Sequence, residues 1–177
     1  VSRVDGARGA IAAVGCETEP VSKNEEFLAF APHLLDVVWV DGAAADALED
    51  ERTELVAKLG ENVVVVGAER YEGGEGEVGA DYIHPPAQRI GVLVHARATP
   101  ELGRMVAMHI AAAQPVYLSR DAVPEAVIAE ERAVYERLPE VESKPAEVRE
   151  KIVEGMLAKR FLAQTVLLDQ PWVHDPS

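Results

Sequence analysis

Hydrophobic residues repeat with two periods along this chain, and the change between them separates predicted helices from predicted strands. Helical spacing runs through one buried face formed by Phe27, Phe30, Ala31, Leu34, Leu35 and Val38. Pro32 lies inside this run and removes one helical hydrogen bond, so a kink or a break is expected there. A small-residue linker opens at Gly42, and residues 47–59 predict a second helix with Gly60 as its C-cap.

Shorter runs rich in β-branched residues predict strands. Residues 10–14 form one such run, and three more follow at 63–69, 79–84 and 90–97. The short connections between the last three favour an antiparallel meander. The glycine-rich connection 73–76 has the composition of a phosphate-binding loop, but no lysine and no following helix completes such a site. A flexible hairpin connection is the simpler interpretation.

Three helical patterns follow in the second half of the chain. The clearest is 100–113, in which His109 lies at the edge of the apolar face. Residues 124–138, with Pro124 at the first position, and 145–162 are rich in charge and carry apolar stripes that can face each other. The last two patterns therefore predict an antiparallel helical hairpin, with a less regular tip where Pro139 falls.

An acidic turn separates the first strand from the first helix. Thr18 and Ser22 are alternative N-caps for that helix, and Ser22 would form a capping box with Glu25. Pro20 falls in the first turn, where its missing N–H costs little. The glutamates of the turn offset the positive pole of the helix and leave Pro20 at an outward-facing tip. These features are typical of a contact loop.

Composition describes a soluble globular protein that can bury one good core or two small ones: 177 residues, 48% hydrophobic and 27% charged. The net charge of −14 argues against nucleic acid or an anionic membrane as the main partner and favours a basic patch on a protein. The single cysteine excludes an internal disulfide and fits a reducing compartment. No signal peptide or membrane-length apolar run is present, so a cytoplasmic location is expected.

The sequence lacks the residue spacings that are usual for catalytic and metal sites. His84, His95 and His109 fall on separate predicted elements, with no His-x-x-x-His or Cys-x-x-Cys pair. Neither a Gly-x-Ser-x-Gly elbow nor a P-loop occurs. Cys16 ends a strand beside two glutamates, which should raise its thiol pKa and weaken it as a nucleophile. A hydrolase built on Cys16 and a histidine remains the enzymatic alternative, which generic ester and peptide substrates would test. No cofactor is expected.

Residues 16–27 resemble the loop of the bacterial elongation factor Ts family, whose signature is Cys-x-Thr-Asp-Phe-Val-x-x-Asn-x-x-Phe. Glu19 stands where the family has Asp, and Pro20 stands where it has Phe. The matching positions are Cys16, Thr18, Val21, Asn24 and Phe27. Further short segments that are similar to family sequence follow in the family's order, at 59–62, 89–94, 108–112, 117–124, 144–145, 151–155 and 169–176. The resemblance therefore covers essentially the whole chain.

The resemblance implies an α+β fold with two small antiparallel-sheet subdomains backed by helices and an inserted antiparallel helical hairpin, a coiled coil. The corresponding parts would be an N-terminal core subdomain at 1–60, a C-terminal core subdomain at 61–122, the hairpin at 123–163 and a return segment at 164–177. The family's N-terminal three-helix module would precede Val1, and its last helix and strand would follow Ser177. The chain is accordingly interpreted as a trimmed or processed piece.

The function implied is that of a non-catalytic guanine-nucleotide exchange factor, which binds elongation factor Tu and promotes GDP release. Carried over by position, the family's partner contacts fall on Glu19, Pro20, Leu59, Gly60, His84, Val173 and His174. Each has a structural alternative: a C-cap for Gly60, core packing for Leu59, an exposed turn for His84, and an anchor of the terminus for 173–174.

Pro20 leaves a second interpretation open. In the family, the Phe at this position enters the GTPase domain of the partner, and proline has no ring of that kind to insert. The alternative is a divergent binding module that docks on elongation factor Tu or the ribosome without efficient exchange. A third interpretation is self-association through the helical hairpin.

Overall fold

The protein is described by a computed structural model over residues 1–42 and 48–173. It is an α+β chain with two small antiparallel sheets and several helices. Its contacts divide it into two compact units, Val1–Ala111 and Ala112–Ser177. The linker predicted after Gly42, and Ala47 at the start of the predicted second helix, lie outside the described residues.

Up to the end of the fourth helix, the elements follow in the order of two strands, three helices, three strands and one helix. The strands are β1 (Ser2–Asp5), β2 (Arg8–Cys16), β3 (Val63–Glu72), β4 (Val78–Ile83) and β5 (Gly91–Ala96). The helices are α1 (Glu19–Ser22), α2 (Glu25–Asp41), α3 (Glu49–Leu59) and α4 (Pro100–Ala113). β1 is an addition to the predicted set, because a four-residue strand is too short to show a clear alternation.

One face of the sheet β1-β2-β3 packs against α2. Small residues of the strands, Ala10, Ala12 and Ala68, lie against the large residues of the helix. Leu34 and Val38 are fully buried there. A second cluster joins α2, α3 and β3 through Phe27, Phe30, Leu55 and Val63. The predicted apolar face of the first helix is therefore the face that builds both clusters.

A register shift in the β2–β3 pair keeps the same face of β3 on the helices. Val14 pairs with Val65 while the preceding Ala13 pairs with Gly67, so Val66 is the extra residue of a bulge. Because of this extra residue, both Val65 and Ala68 face α2. Without it, the alternation of the strand would turn one of them outward.

The second sheet is the antiparallel pair β4–β5. It lies against part of the other face of the first sheet, where a Cβ added to Gly91 would lie 3.1 Å from Ile11 Cδ1. The predicted three-strand meander is wrong in its first pairing, since among the described residues β3 pairs with β2 and β4 with β5. The connection 73–76 therefore leads from one sheet to the other and is not a hairpin turn.

Pro32 does not break α2, which runs continuously from Glu25 to Asp41. The apolar residues on both sides of the proline, Phe30 and Leu34, are buried against the same layer. Tertiary packing on both sides therefore outweighs the loss of one backbone hydrogen bond.

The second unit is mainly helical. It contains α5 (Glu125–Glu136), α6 (Pro139–Glu142), α7 (Ala146–Met156), a π-helical segment (Leu157–Leu162), α8 (Ala163–Thr165), and 3₁₀ turns at Arg120–Ala122 and Leu167–Asp169. An ion pair between Arg132 and Glu154 joins α5 to α7. The hydrophobic core of this unit contains Val123, Leu157, Leu162 and Val166. The single predicted helix 145–162 is thus two helical segments of different type.

The pairing of β2 with β3 crosses the boundary predicted at 60/61, because Cys16 pairs with Val63. The division into four parts stays a prediction. In the part of the chain that the structure describes, no helix is both long and apolar enough to cross a membrane.

Asn24 is the N-cap of the long helix. Its Oδ1 accepts hydrogen bonds from the backbone N–H of Glu26 at 2.9 Å and of Phe27 at 3.3 Å. Thr18 and Ser22 are the predicted alternatives for this cap. Thr18 instead precedes α1 and makes no side-chain capping bond, and the hydroxyl of Ser22 donates to the carbonyl of Glu19 at 2.7 Å within α1. The capping box of Ser22 and Glu25 is therefore wrong, because the short helix α1 ends at Ser22 and moves the true helix start to Asn24.

Replacing Asn24 with alanine should lower the free energy of unfolding by about 1 kcal/mol, since two N–H groups at the helix start lose their acceptor. Urea unfolding followed by circular dichroism measures this. Ser22→Ala is the matched control and should change stability by well under half of that. Equal losses in both variants would contradict the assignment of the cap to Asn24.

Candidate functional site

Two turns meet at the end of the β2–β3 pair, and together they are called the double turn here: residues 17–20 and 59–61. The last strand pair is Cys16 with Val63. Beyond it, the backbone N–H of Glu17 donates to Glu61 Oε2 at 3.0 Å, and the hydroxyl of Thr18 donates to Glu61 Oε1 at 2.7 Å. A single carboxylate therefore ties the two turns together.

Glu19 and Pro20 begin α1 and are exposed. Proline is favoured in this first turn because its fixed φ suits the helix and its missing N–H needs no partner. Glu19 pairs with Lys23 Nζ at 2.7 Å, but both side chains are largely in water, so the pair adds little stability. Val21 packs against the cluster around Phe27 and fixes the short helix to the core.

Leu59 and Gly60 form the other side of the double turn. Gly60 has φ +73°, in the left-handed region, and its N–H donates to Val56 O at 2.9 Å, closing α3. A Cβ there would meet nothing within 4 Å, so the backbone conformation and not lack of space favours glycine. Leu59 is half-buried against the Phe27 cluster. Leu59 therefore contributes to the core, as its alternative interpretation predicts, although its side chain is only half-buried.

The other predicted contacts lie elsewhere or outside the described residues. His84 is exposed in the loop after β4, where its Nδ1 lies 3.0 Å from the hydroxyl of Tyr82 and its N–H donates to Ile90 O at 2.9 Å. Val173 lies near the end of the second unit and is partly exposed. His174 lies outside the described residues. The structure thus brings together Glu19, Pro20, Leu59 and Gly60, and the partner role of all seven residues stays a prediction.

Glu61 is the residue of this site that sequence reasoning missed. The signal available was an acidic residue directly after a C-cap glycine, in the word Leu59-Gly60-Glu61-Asn62. Spacing alone could not show that its side chain reaches the turn at Glu17, more than forty residues earlier in the sequence. That contact depends on the β2–β3 pairing, which places the ends of the two strands side by side.

The same carboxylate acts on Cys16. Burial raises the pKa of the Cys16 thiol, the negative charge of Glu61 raises it further, and a hydrogen bond with the Thr18 backbone partly opposes both. The direction agrees with the sequence prediction, but the acidic neighbour responsible is Glu61 and not a glutamate of the turn 17–20 itself. A thiol with a raised pKa carries little thiolate at neutral pH.

The described histidines do not converge on a metal site. Among residues 1–42 and 48–173, no group of three His, Cys, Asp or Glu side chains could hold an ion. His95 of β5 pairs with Glu77 Oε2 at 2.9 Å. His109, predicted at the edge of the apolar face of α4, is buried. The double turn presents a fixed backbone, carboxylates and an exposed proline, which are features suited to contact with another macromolecule.

Comparison with known proteins finds one family whose sequence model, described as Elongation factor TS, matches residues 17–177. Elongation factor Ts of Bordetella petrii is 43% identical over 180 residues, covering 96% of this chain and 60% of the relative. Elongation factor Ts of Methylococcus capsulatus is 37% identical over 185 residues, with 97% and 62% covered. Elongation factor Ts of Cupriavidus taiwanensis is 39% identical over 181 residues, with 96% and 60% covered. The chain thus spans about 60% of the length of these curated relatives.

The effect of Glu61 on the thiol can be tested by alkylating the one cysteine with iodoacetamide across a pH series. Glu61→Gln keeps groups able to bond Glu17 and Thr18 but removes the negative charge. The pKa of Cys16 should fall toward its ordinary value, so alkylation should become faster at each pH below that pKa.

Glu17→Gln is the matched control, since it also removes one charge beside the cysteine but leaves Glu61 in place. It should leave the alkylation profile close to that of the parent protein. A profile that shifts equally in both variants would show that Glu61 has no special effect on Cys16.

Proposed function

The chain belongs to the elongation factor Ts family, and from that membership we propose that it binds elongation factor Tu and promotes the release of GDP. The observation that carries the proposal is the double turn, in which the Glu61 carboxylate holds residues 17–20 and leaves Glu19 and Pro20 exposed. These two residues occupy the position of the family's partner-contacting loop.

The proposed action is binding and not covalent chemistry, and it requires no cofactor. An exchange factor accelerates release by preferring the state of its partner in which the nucleotide site is open. The coupling is reciprocal: if the factor weakens GDP binding by a given ratio, GDP weakens binding of the factor by the same ratio. Nucleotide entering the site therefore displaces the factor, and the cycle can turn over.

The double turn is suited to this action because it is already ordered. The Glu61 carboxylate accepts hydrogen bonds from the backbone N–H of Glu17 and the hydroxyl of Thr18, Val21 packs against the core, and Asn24 caps the helix that follows. Little conformational entropy remains to be lost when a partner binds such a segment. Glu17, Glu19 and the net charge of −14 suit a basic surface on that partner.

A second candidate function is docking on elongation factor Tu or the ribosome without efficient exchange. Pro20 favours it, because the exposed start of α1 carries a small saturated ring where the family has an aromatic one. Such a residue can touch a surface, but it cannot insert deeply between the elements of a partner. The two candidates differ in the rate of nucleotide release and not in binding.

We also propose that α5 to α7 form an inserted antiparallel coiled-coil hairpin that supports self-association. The Arg132–Glu154 pair between the arms and the burial of Val141 at α6 support this arrangement. Val134 and Val148 are exposed on the two arms and are available to a second copy. The charge of −14 further supports a protein without direct nucleic-acid or membrane contact. The single cysteine suits the cytoplasmic location that we propose.

Stopped-flow release of a fluorescent GDP from elongation factor Tu tests the main proposal. Adding this chain should accelerate release, and the rate should saturate with concentration because a complex forms before the nucleotide leaves. Elongation factor Tu alone is the control. Binding without acceleration would support the docking candidate, whereas absence of binding would contradict both.

The role of Pro20 can be tested by introducing the family's residue. Pro20→Phe should raise the maximal release rate roughly tenfold, which corresponds to about 1.4 kcal/mol of barrier, because an aromatic ring can reach into the partner. Pro20→Ala is the control for simple loss of the proline and should give no such rise. A Phe variant no faster than the Ala variant would show that the tip residue does not limit exchange.

A further inference from the structure

Residues 1–42 and 48–173 cover only part of the outer face of the sheet β1-β2-β3. This face carries the residues of β2 and β3 that point away from α2. At one end the pair β4–β5 covers it: a Cβ added to Gly9 would lie 2.9 Å from Leu93 Cδ1, and the hydroxyl of Tyr71 donates to the Val94 carbonyl. At the other end, beyond Ile11, this cover stops.

The uncovered end consists of small and β-branched residues, and it is called the bare face here: Ala13, Gly15, Val64, Val66 and Gly67. Val64 is 41% exposed and Val66 is 69% exposed. A Cβ on Gly15 would lie 3.2 Å from Val64 Cγ2 and 3.3 Å from Val66 Cγ2, so the two valines flank this glycine. The result is a charge-free patch with two projecting methyl-bearing side chains.

The bare face is continuous with the double turn. Gly15 pairs with Val64, the next pair is Cys16 with Val63, and the Glu17–Glu61 hydrogen bond follows directly. At about 3.3 Å per residue along a strand, Val64 at the near edge of the patch lies roughly 10 Å from Glu61, and Val66 lies roughly 16 Å from it. A surface that engages the turn from this side would therefore also reach the valines.

The double turn alone is small for a specific contact. Stable protein complexes bury about 800 Å² on each partner, spread over roughly 20–30 residues. The turn offers seven residues, of which Leu59 is already half-buried in the core. A partner held through this site needs neighbouring surface, and the bare face is the adjoining apolar part of the chain.

Resting on the proposed function, we propose that the bare face is a second contact surface for elongation factor Tu, which receives an apolar patch of that partner while the double turn meets the basic groups beside it. The valines would bury apolar surface against the partner, and the carboxylates of the turn would orient the partner through its basic groups. A second copy of this chain is a less suitable occupant of the bare face, because two such faces would bring together the acidic double turns beside them, each of which carries Glu17 and Glu19.

The test is the double variant Val64→Thr, Val66→Thr. Threonine has nearly the shape of valine and suits a strand, but a contact that excludes water must then bury two hydroxyl groups. Affinity for elongation factor Tu, measured by calorimetry, should fall roughly tenfold or more. The concentration giving half-maximal GDP release should rise by the same factor, with the maximal rate little changed.

Val116→Thr is the matched control, since Val116 is 67% exposed in the other unit, and it should leave both readouts unchanged. Thermal unfolding establishes that the variants fold, and Val66→Thr alone replaces the double variant if that one is destabilised.

Unchanged affinity in a folded variant overturns the inference while leaving the proposed function intact. Absence of binding by the parent chain overturns the proposed function itself. Dimerisation of the parent chain in light scattering, lost in the variant, would assign the bare face to a second copy and also overturn the inference.

Discussion

Burial of one face of α2 against an alanine-rich strand is the interaction on which the rest of the first unit depends. Ala10 and Ala12 let the helix approach closely, and Leu34 and Val38 fill the space between the layers. Full burial of a leucine or valine side chain stabilises a fold by about 1.5–3 kcal/mol. This contact fixes the direction in which α2 leaves the sheet. It thereby fixes the position of the first turn of α2, which follows α1 and the turn 17–20 of the candidate site.

The site follows from the sheet through backbone pairing and one side chain. β2 and β3 end together, at Cys16 and Val63, and the chain leaves both strands in turns. The Glu61 carboxylate replaces the next rung of the ladder by accepting from Glu17 and Thr18. Burial and, after it, the charge of Glu61 both raise the pKa of the Cys16 thiol. Structure and chemistry at the double turn thus depend on the same residue.

The sequence predicted local features well and pairings poorly, for a physical reason. Periodicity reports which face of a segment is buried, so the apolar stripe of α2 and the strand character of β3 were both predicted correctly. It does not report which strand lies alongside, and β3 was assigned to β4 when it pairs with β2. The capping role of Asn24 and the bridging role of Glu61 were not predicted for a related reason, because each role depends on which donors the fold brings within reach of the side chain.

If the proposed function holds, Pro20 and the bare face would bear on two different quantities: Pro20 on the rate of nucleotide exchange and the bare face on the affinity for the partner. Two buried valines can contribute several kcal/mol to binding, which is comparable to what a missing aromatic tip would lose. Binding energy that is equal in the open and closed states of the partner does not, however, alter its affinity for nucleotide. Only contacts made better in the open state do so. A chain with proline at the tip and an apolar strand beside it can therefore hold its partner firmly without forcing the nucleotide out. Its efficiency as an exchange factor then depends on whether the double turn itself distinguishes the two states.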